Sequence, residues 1–353
     1  MKKIIILSIV CAFAIQLKSQ DLDFAAWIQP VPSTARFGLK DYMVWCGSMV
    51  RGDNGKYYLF YSRWPRSSGH FAWATESEIA LAVSDSPTGP YKHVKVILPK
   101  RDKKFWDADV THNPTVYKFG KKYYLYYMGT RGTAKFTKPV TMQDSGWWVY
   151  RNNQRIGVAV ASSPTGPWKR MDKPLIDTTM HSFDHQVATN PAVTQRTDGT
   201  YQMIYKGVAE GKMPFGGKVS HGIAIAEHPE GPFRKLPNRI FVKDGVQFPA
   251  EDPFIWYQNG RYRAIVKDMK GVFTNSGTSL ALFESEDGIN DWKPSPAVLV
   301  STTQIPWVTG LKKVSKLERP QLYIENGIPV VLFCAVYDGD DNYNVAIPLK
   351  STK

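Results

Sequence analysis

A five-bladed β-propeller is the fold this 353-residue sequence predicts. Three observations carry the prediction. A block of apolar strand, Gly turn, aromatic strand and third strand recurs five times along the chain. Related Pro- and Gly-rich turns follow the third strands. No stretch sustains a 3.6-residue apolar period over several turns, which excludes long helices. Composition agrees, because 13% aromatic residues with 24 Pro and 27 Gly favour short strands and frequent turns. At 43% hydrophobic and 22% charged residues, the chain falls outside the disordered, collagen-like and coiled-coil classes.

The first copy is the most degenerate. It runs from Cys46-Gly47-Ser48 through the turn Asn54-Gly55 into the aromatic strand 57–61. The second opens at Asp107-Ala108-Asp109, passes His112-Asn113-Pro114 and turns at Gly120 into 123–127. The third has Thr189-Asn190-Pro191, a turn at Asp198-Gly199 and a strand over 201–205. The fourth has Glu251-Asp252-Pro253, Asn259-Gly260 and 262–266; the fifth has Glu318-Arg319-Pro320, Asn326-Gly327 and 330–333. Asn-Gly and Asp-Gly at these points are hairpin signals. Third strands begin at Ile79, Ile156, Ile223 and Leu280. Three of them lead into the turns Pro87-Thr88-Gly89-Pro90, Pro164-Thr165-Gly166-Pro167 and Pro229-Glu230-Gly231-Pro232. One such unit cannot bury both faces, so the units must stack around an axis. Blades are expected to open near Ser48, Pro114, Pro191, Pro253 and Pro320, as one domain over 20–353. The tail 344–348 is expected to complete the last blade, and the segment before Cys46 to help close the ring.

The N-terminus reads as a targeting segment. Lys2 and Lys3 precede an apolar run over 4–15 and a small residue at Ser19, the pattern of a signal peptide over 1–19. The run is shorter than the roughly 20 residues that span a bilayer, and no later segment is more apolar. The expected location is therefore periplasmic or secreted. Net charge is +14, yet no Lys/Arg block suggests nucleic acid. Beyond the leader only Cys46 and Cys334 remain, read as two buried thiols and neither a disulfide framework nor a zinc signature.

Propeller geometry brings three sets of residues to one end of the axis: the starts of the innermost strands, the ends of the second and the starts of the third. Aligned on the Pro, the preceding residue reads Gly47, Asn113, Asn190, Asp252, Arg319. The one before it reads Cys46, His112, Thr189, Glu251, Glu318. A purely structural turn would keep one residue type, although Asp and Asn also make good Asx turns before Pro. Divergence into Asp, Glu and Arg points to an asymmetric polar site. Separated carboxylates with basic and aromatic neighbours suit glycoside hydrolysis, which needs one protonated and one ionised carboxyl. Substrate-contact candidates are His112, Asn113, Asn190, His221 and Glu251, with Lys206, Lys267 and Arg319 as clamps for hydroxyls, a carboxylate or sulfate. Among the tryptophans, Trp106, Trp147 and Trp148 are favoured as sugar-facing walls.

The Glu-Asp-Pro and Glu-Arg-Pro strand starts, the Gly-Lys-Lys-Tyr-Tyr-Leu-Tyr-Tyr strand and the Ser-Pro-Thr-Gly-Pro-Trp turn resemble glycoside hydrolase family 43 and its five-bladed relatives. The arrangement is nearest that of family 117, the exo-acting α-1,3-(3,6-anhydro)-L-galactosidases. The resemblance covers nearly the whole mature chain. It implies an inverting exo-glycosidase acting on a plant or algal oligosaccharide, with an acidic or sulfated one among the options. It also implies Asp109 as general base, Asp252 as the carboxylate tuning the acid, and Glu318 as general acid. Asp107 competes with Asp109, and Glu251 with Asp252. The chain departs from family 43 in the first blade, where the usual base gives way to Cys46-Gly47-Ser48. No cofactor is expected. His181, Asp184 and His185 form a ligand-like cluster read first as loop or substrate contact, with a structural divalent cation as the lesser reading. A glycoside phosphorylase on the same fold and a non-catalytic carbohydrate-binding propeller are the competing functions.

Overall fold

The computed structural model describes residues 22–339 and 341–350. The leader expected over 1–19 lies outside them. Five four-stranded antiparallel sheets follow one another around a ring. Blade I is Tyr42–Arg51, Tyr57–Pro65, Glu78–Ser84 and Lys92–Leu98. Blade II is Val110–Phe119, Lys122–Thr130, Arg155–Ala161 and the short Lys169–Arg170; blade III is Val187–Gln195, Tyr201–Val208, Val219–Ala226 and Arg234–Ile240. Blade IV is Ala250–Gln258, Arg261–Asp268, Ser279–Ser285 and Lys293–Ser301. Blade V takes Lys316–Glu325, Ile328–Asp338 and Asp341–Pro348 from the C-terminal part and its outer strand, Arg36–Phe37, from the N-terminal part.

That exchange closes the ring as the sequence suggested: Arg36 pairs with Val345 and Phe37 with Asn344. The repeat showed three strands per unit, and the structure adds a fourth. Outer strands such as Lys92–Leu98 are mostly exposed, so they carry no apolar alternation to read. The longest helix among the described residues is Ser145–Asn152, and none is long and apolar enough to cross a membrane. Side chains of neighbouring blades interdigitate; one large cluster joins blades I, IV and V, with Phe24, Trp27 and Trp256 under the closure.

Every innermost strand carries a β-bulge at the same place. Register slips between Trp45 and Ser48, His112 and Thr115, Thr189 and Ala192, Glu251 and Phe254, and Glu318 and Gln321. Within each slip one residue is left-handed: Cys46, Asn113, Asn190, Asp252 and Arg319, with φ between 53° and 57°. Asn and Asp tolerate this conformation, whereas for Cys and Arg it costs roughly 1–2 kcal/mol. The pattern corrects the blade I alignment. Gly47, not Ser48, stands where the other blades have Pro, so Cys46 is the partner of Asn113, and Trp45 that of His112.

Candidate active site

The five left-handed residues turn their side chains toward the axis and form a ring. The Cys46 thiol donates to Asn113 Oδ1 (2.9 Å), Asn113 Nδ2 to Asn190 Oδ1 (2.5 Å), and Asn190 Nδ2 to Asp252 Oδ1 (2.6 Å). Arg319 Nη1 donates to the same Asp252 oxygen at 3.1 Å, and its charge acts back on Cys46 across the axis. All five side chains are buried. A bulge also suspends strand alternation, which would otherwise send neighbouring side chains to opposite faces. Glu251 with Asp252, Glu318 with Arg319, and His112 with Asn113 therefore line one cavity of about 300 Å³. Glu251 and Asp252, which the sequence left as competitors, both line the cavity.

Charge is organised on one wall. Lys206 pairs with Glu251, and Lys267 reaches Glu318 and, at 3.9 Å, Glu251. Burial would raise the Glu251 carboxyl, but Lys206 and Lys267 outweigh it and hold the group at about 2. Asp252 goes the other way. Burial, then the Glu251 charge, push it up to about 6 against the pull of Arg319. Two adjacent carboxyls thus titrate in separate pH ranges, and between about 2 and 6 Glu251 is ionised while Asp252 keeps its proton.

The opposite wall is aromatic. Trp45, Trp64, His70, Phe71, Trp73 and Trp147 face the cavity. Trp147 Nε1 donates to the Phe71 carbonyl (2.8 Å), and Trp73 stacks on His112 at 5.3 Å. Burial, then the Arg319 charge, hold His112 neutral, with its Nδ1 2.8 Å from Ser77 Oγ. Most of this wall comes from two inserts between second and third strands, 66–77 in blade I and 131–154 in blade II. Their length and aromatic content were the available signal.

Nine of the twelve residues expected at the site line the cavity: Asp252, Glu318, His112, Asn113, Asn190, Lys206, Glu251, Lys267 and Arg319. Three do not. Asp109 lies at the foot of Val110–Phe119, before the bulge, where Lys103 pairs with it and the Gly132 N–H donates to it at 3.1 Å. Trp106 stacks on Tyr127 and covers Gly129 and Gly157. His221 is buried behind Lys206 against Phe241, and its desolvation lowers it to about 3. Asp107 is clasped by Arg101, Arg170 and the Tyr127 hydroxyl, a structural knot inside blade II. Of the favoured tryptophans, Trp147 alone lines the cavity; Trp148 donates to the Met142 carbonyl outside it. Trp45, His70, Phe71, Arg151 and Lys316 are lining residues absent from the expected set. Cys46 and Cys334 are free, buried thiols, as expected.

No family model and no curated protein matches the chain. Solved structures do. The chain is similar to Zg3597, a family 117 glycoside hydrolase produced by the marine bacterium Zobellia galactanivorans, at 17% identity and TM-score 0.62, covering 92% of this chain and 89% of that one. A thermostable family-43 glycoside hydrolase matches at 14% identity and TM-score 0.61, over 93% and 96% of the two chains. The Bacillus subtilis arabinanase Arb43A matches at 16% and 0.54, over 89% and 96%. Across nearly its full length, the chain therefore has the five-bladed propeller fold seen in solved glycoside hydrolases of families 117 and 43.

Proposed function

We propose that the chain is an exported, exo-acting glycoside hydrolase whose chemistry runs in the axial cavity. The observation that carries this reading is the convergence of Asp252 and Glu318 on one cavity facing an aromatic wall. Asp252, pushed up to about 6, can hold a proton for the leaving glycosidic oxygen. Glu318 accepts from the Lys267 ammonium and takes the proton of the attacking water. The family resemblance implies Asp252 as the acid's tuner, Glu318 as the acid and Asp109 as the base; here Asp252 becomes the acid, and Glu318 takes the place of Asp109 as the base. Direct displacement by water, with inversion, is the course that the family resemblance implies.

The cavity volume is at the small end of the roughly 300–1,000 Å³ typical of small-molecule sites, which suits one terminal sugar unit more than an internal stretch. An aromatic wall facing a charged one fits a sugar ring with one apolar face. Algal and plant oligosaccharides, including anhydrogalactose-terminated and acidic ones, are the substrates to try first. Phosphorolysis has less support: Lys206, Lys267 and Arg319 are already engaged by carboxylates and form no open cradle for phosphate. Export rests on Lys2, Lys3 and the apolar run that follows.

Anomeric NMR on such a panel tests the reading. Release of a terminal sugar with inverted configuration, lost in Asp252→Asn and Glu318→Gln, is the expected result. Binding that persists in both variants without turnover in the native protein on any substrate would instead support a carbohydrate-binding propeller. Sequencing the native protein's N-terminus should start near Gln20; an intact Met1 in cytoplasmic material would overturn export.

A further inference from the structure

A second cluster of ligating side chains lies in blade III, outside the cavity. His181 and His185 sit on the segment leading into Val187–Gln195, and Glu210 opens the 209–218 loop that follows Tyr201–Val208. One ligating atom from each lies within 4.8 Å of the other two. His181 Nδ1 is 3.0 Å from Glu210 Oε2, and the His181 backbone N–H donates to His185 Nδ1 at 3.0 Å. The imidazole rings lie side by side, with centroids 5.8 Å apart. His181 is left-handed, with φ 58°. Asp184, which the sequence grouped with these histidines, is elsewhere. It is buried, accepts from the Tyr205 hydroxyl at 3.0 Å and pairs with Lys235.

We propose that His181, His185 and Glu210 form a binding site for a divalent zinc-class ion that staples the 177–186 segment to the 209–218 loop. Two imidazoles and one carboxylate are a donor set for zinc and its neighbours, whereas calcium and magnesium require mainly oxygen. Around a tetrahedral ion with bonds of about 2.0–2.1 Å, ligand atoms stand roughly 3.3 Å apart. His181 and Glu210 are both exposed, so side-chain rotation closes the remaining gap with no backbone movement. Water takes the fourth position.

The loop that Glu210 opens has a second attachment at its far end. Asn152 Nδ2 donates to the Pro214 carbonyl (3.0 Å), Arg151 Nη1 to the Phe215 carbonyl (2.8 Å), and Gln186 Nε2 to Pro214 (3.1 Å). Arg151 lines the cavity. An ion at Glu210 would therefore fix the near end of a loop whose far end braces a cavity residue. The inference stands independently of the hydrolase reading.

The test uses untagged, chelator-stripped protein titrated with Zn²⁺ against a chromophoric competitor, with Ca²⁺ as control. One Zn²⁺ per chain is expected. Because loss of a supporting partner alone typically weakens metal sites 10- to 100-fold, His185→Ala and Glu210→Gln should each weaken binding at least about tenfold. Glu210 is exposed and His185 half-buried, and far-UV circular dichroism checks that the variants are folded. Zinc should also slow proteolysis at Phe215 in the native protein and not in the variants. Absence of binding up to about 1 mM, equal binding by the variants, or equal affinity for Ca²⁺ each overturns the site. Zinc binding that leaves cleavage at Phe215 unchanged overturns the staple.

Discussion

Arg319 donates through Nη1 to Asp252 Oδ1 at 3.1 Å, joining two left-handed bulge residues of adjacent blades across the floor of the cavity. The guanidinium is the positive charge that offsets Asp252 within the ring, while Glu251 beside it pushes the other way. Both partners are buried, so neither charge is screened by water.

Breaking that pair should be costly. Arg319→Met leaves Asp252 buried next to an ionised Glu251, and losing one partner of a buried pair typically costs about 3–5 kcal/mol. Urea denaturation at pH 8 should show a loss of that order, and a smaller one at pH 5, where protonation of Asp252 relieves the uncompensated charge. An equal loss at both pH values would contradict the charge argument.

Asp252 also gives stability a pH signature. Its folded carboxyl is raised to about 6, above the ordinary value near 3.8, so the folded state holds the proton more tightly. The contribution is fully present below the ordinary value and is lost as pH rises through about 6. Asp252→Asn should flatten that part of the stability curve measured by chemical denaturation. Glu251 has the opposite sign, with stability lost only as pH falls toward about 2.

Turnover should follow the same group. Hydrolysis is expected to decline as pH rises above about 6, when Asp252 loses its proton. Asp252→Asn should lower kcat by about a hundredfold or more, the usual worth of general acid assistance. The amide oxygen can still accept from Asn190 and Arg319, and circular dichroism checks that the variant is folded. A variant with native turnover would remove Asp252 from catalysis.

Glu318→Gln and Asp109→Asn make a paired test. Glu318→Gln should cost about a hundredfold or more, because its carboxylate faces the cavity beside Lys267. Asp109→Asn should leave kcat within about threefold of native and mainly affect stability, through its contacts with Lys103 and Gly132. The reverse outcome would restore Asp109 as the base and move the site out of this cavity.

The thiols offer a check on the ring. Burial raises the Cys46 thiol well above its ordinary value, and Cys334 likewise, so neither forms thiolate readily. Mature protein should show no reaction with a thiol reagent while folded and two thiols after denaturation. Fast labelling of Cys46 in the folded protein would mean that the axis is open.

Much of this molecule could be read from the chain. Repeated turn pairs such as Asn259-Gly260, the five strand starts and the recurrent Pro-Thr-Gly-Pro turn are local chemistry, written within a few consecutive residues. So was the divergence of one ring position into Asn, Asp and Arg, which marked the end of the axis where the cavity lies. Blade I was misaligned by one residue because Gly47 replaces the Pro that anchors the other copies.

Convergence was decided only by the closed ring. Asp109 and Asp252 both stand near the starts of innermost strands, and although only Asp252 directly precedes a Pro, spacing alone did not say which of them faces the axis. Asp252 occupies a left-handed bulge that turns it to the axis, whereas Asp109 precedes the bulge and is held by Lys103 and Gly132. Most of the aromatic wall comes from second-to-third-strand connections whose length and residues differ from blade to blade, and Glu210 meets His181 across 29 residues of chain. Strand periodicity and turn preference act between near neighbours and are therefore legible in sequence. Burial, charge pairing and the protonation they impose depend on residues far apart in the chain, and only the packed ring sets those distances.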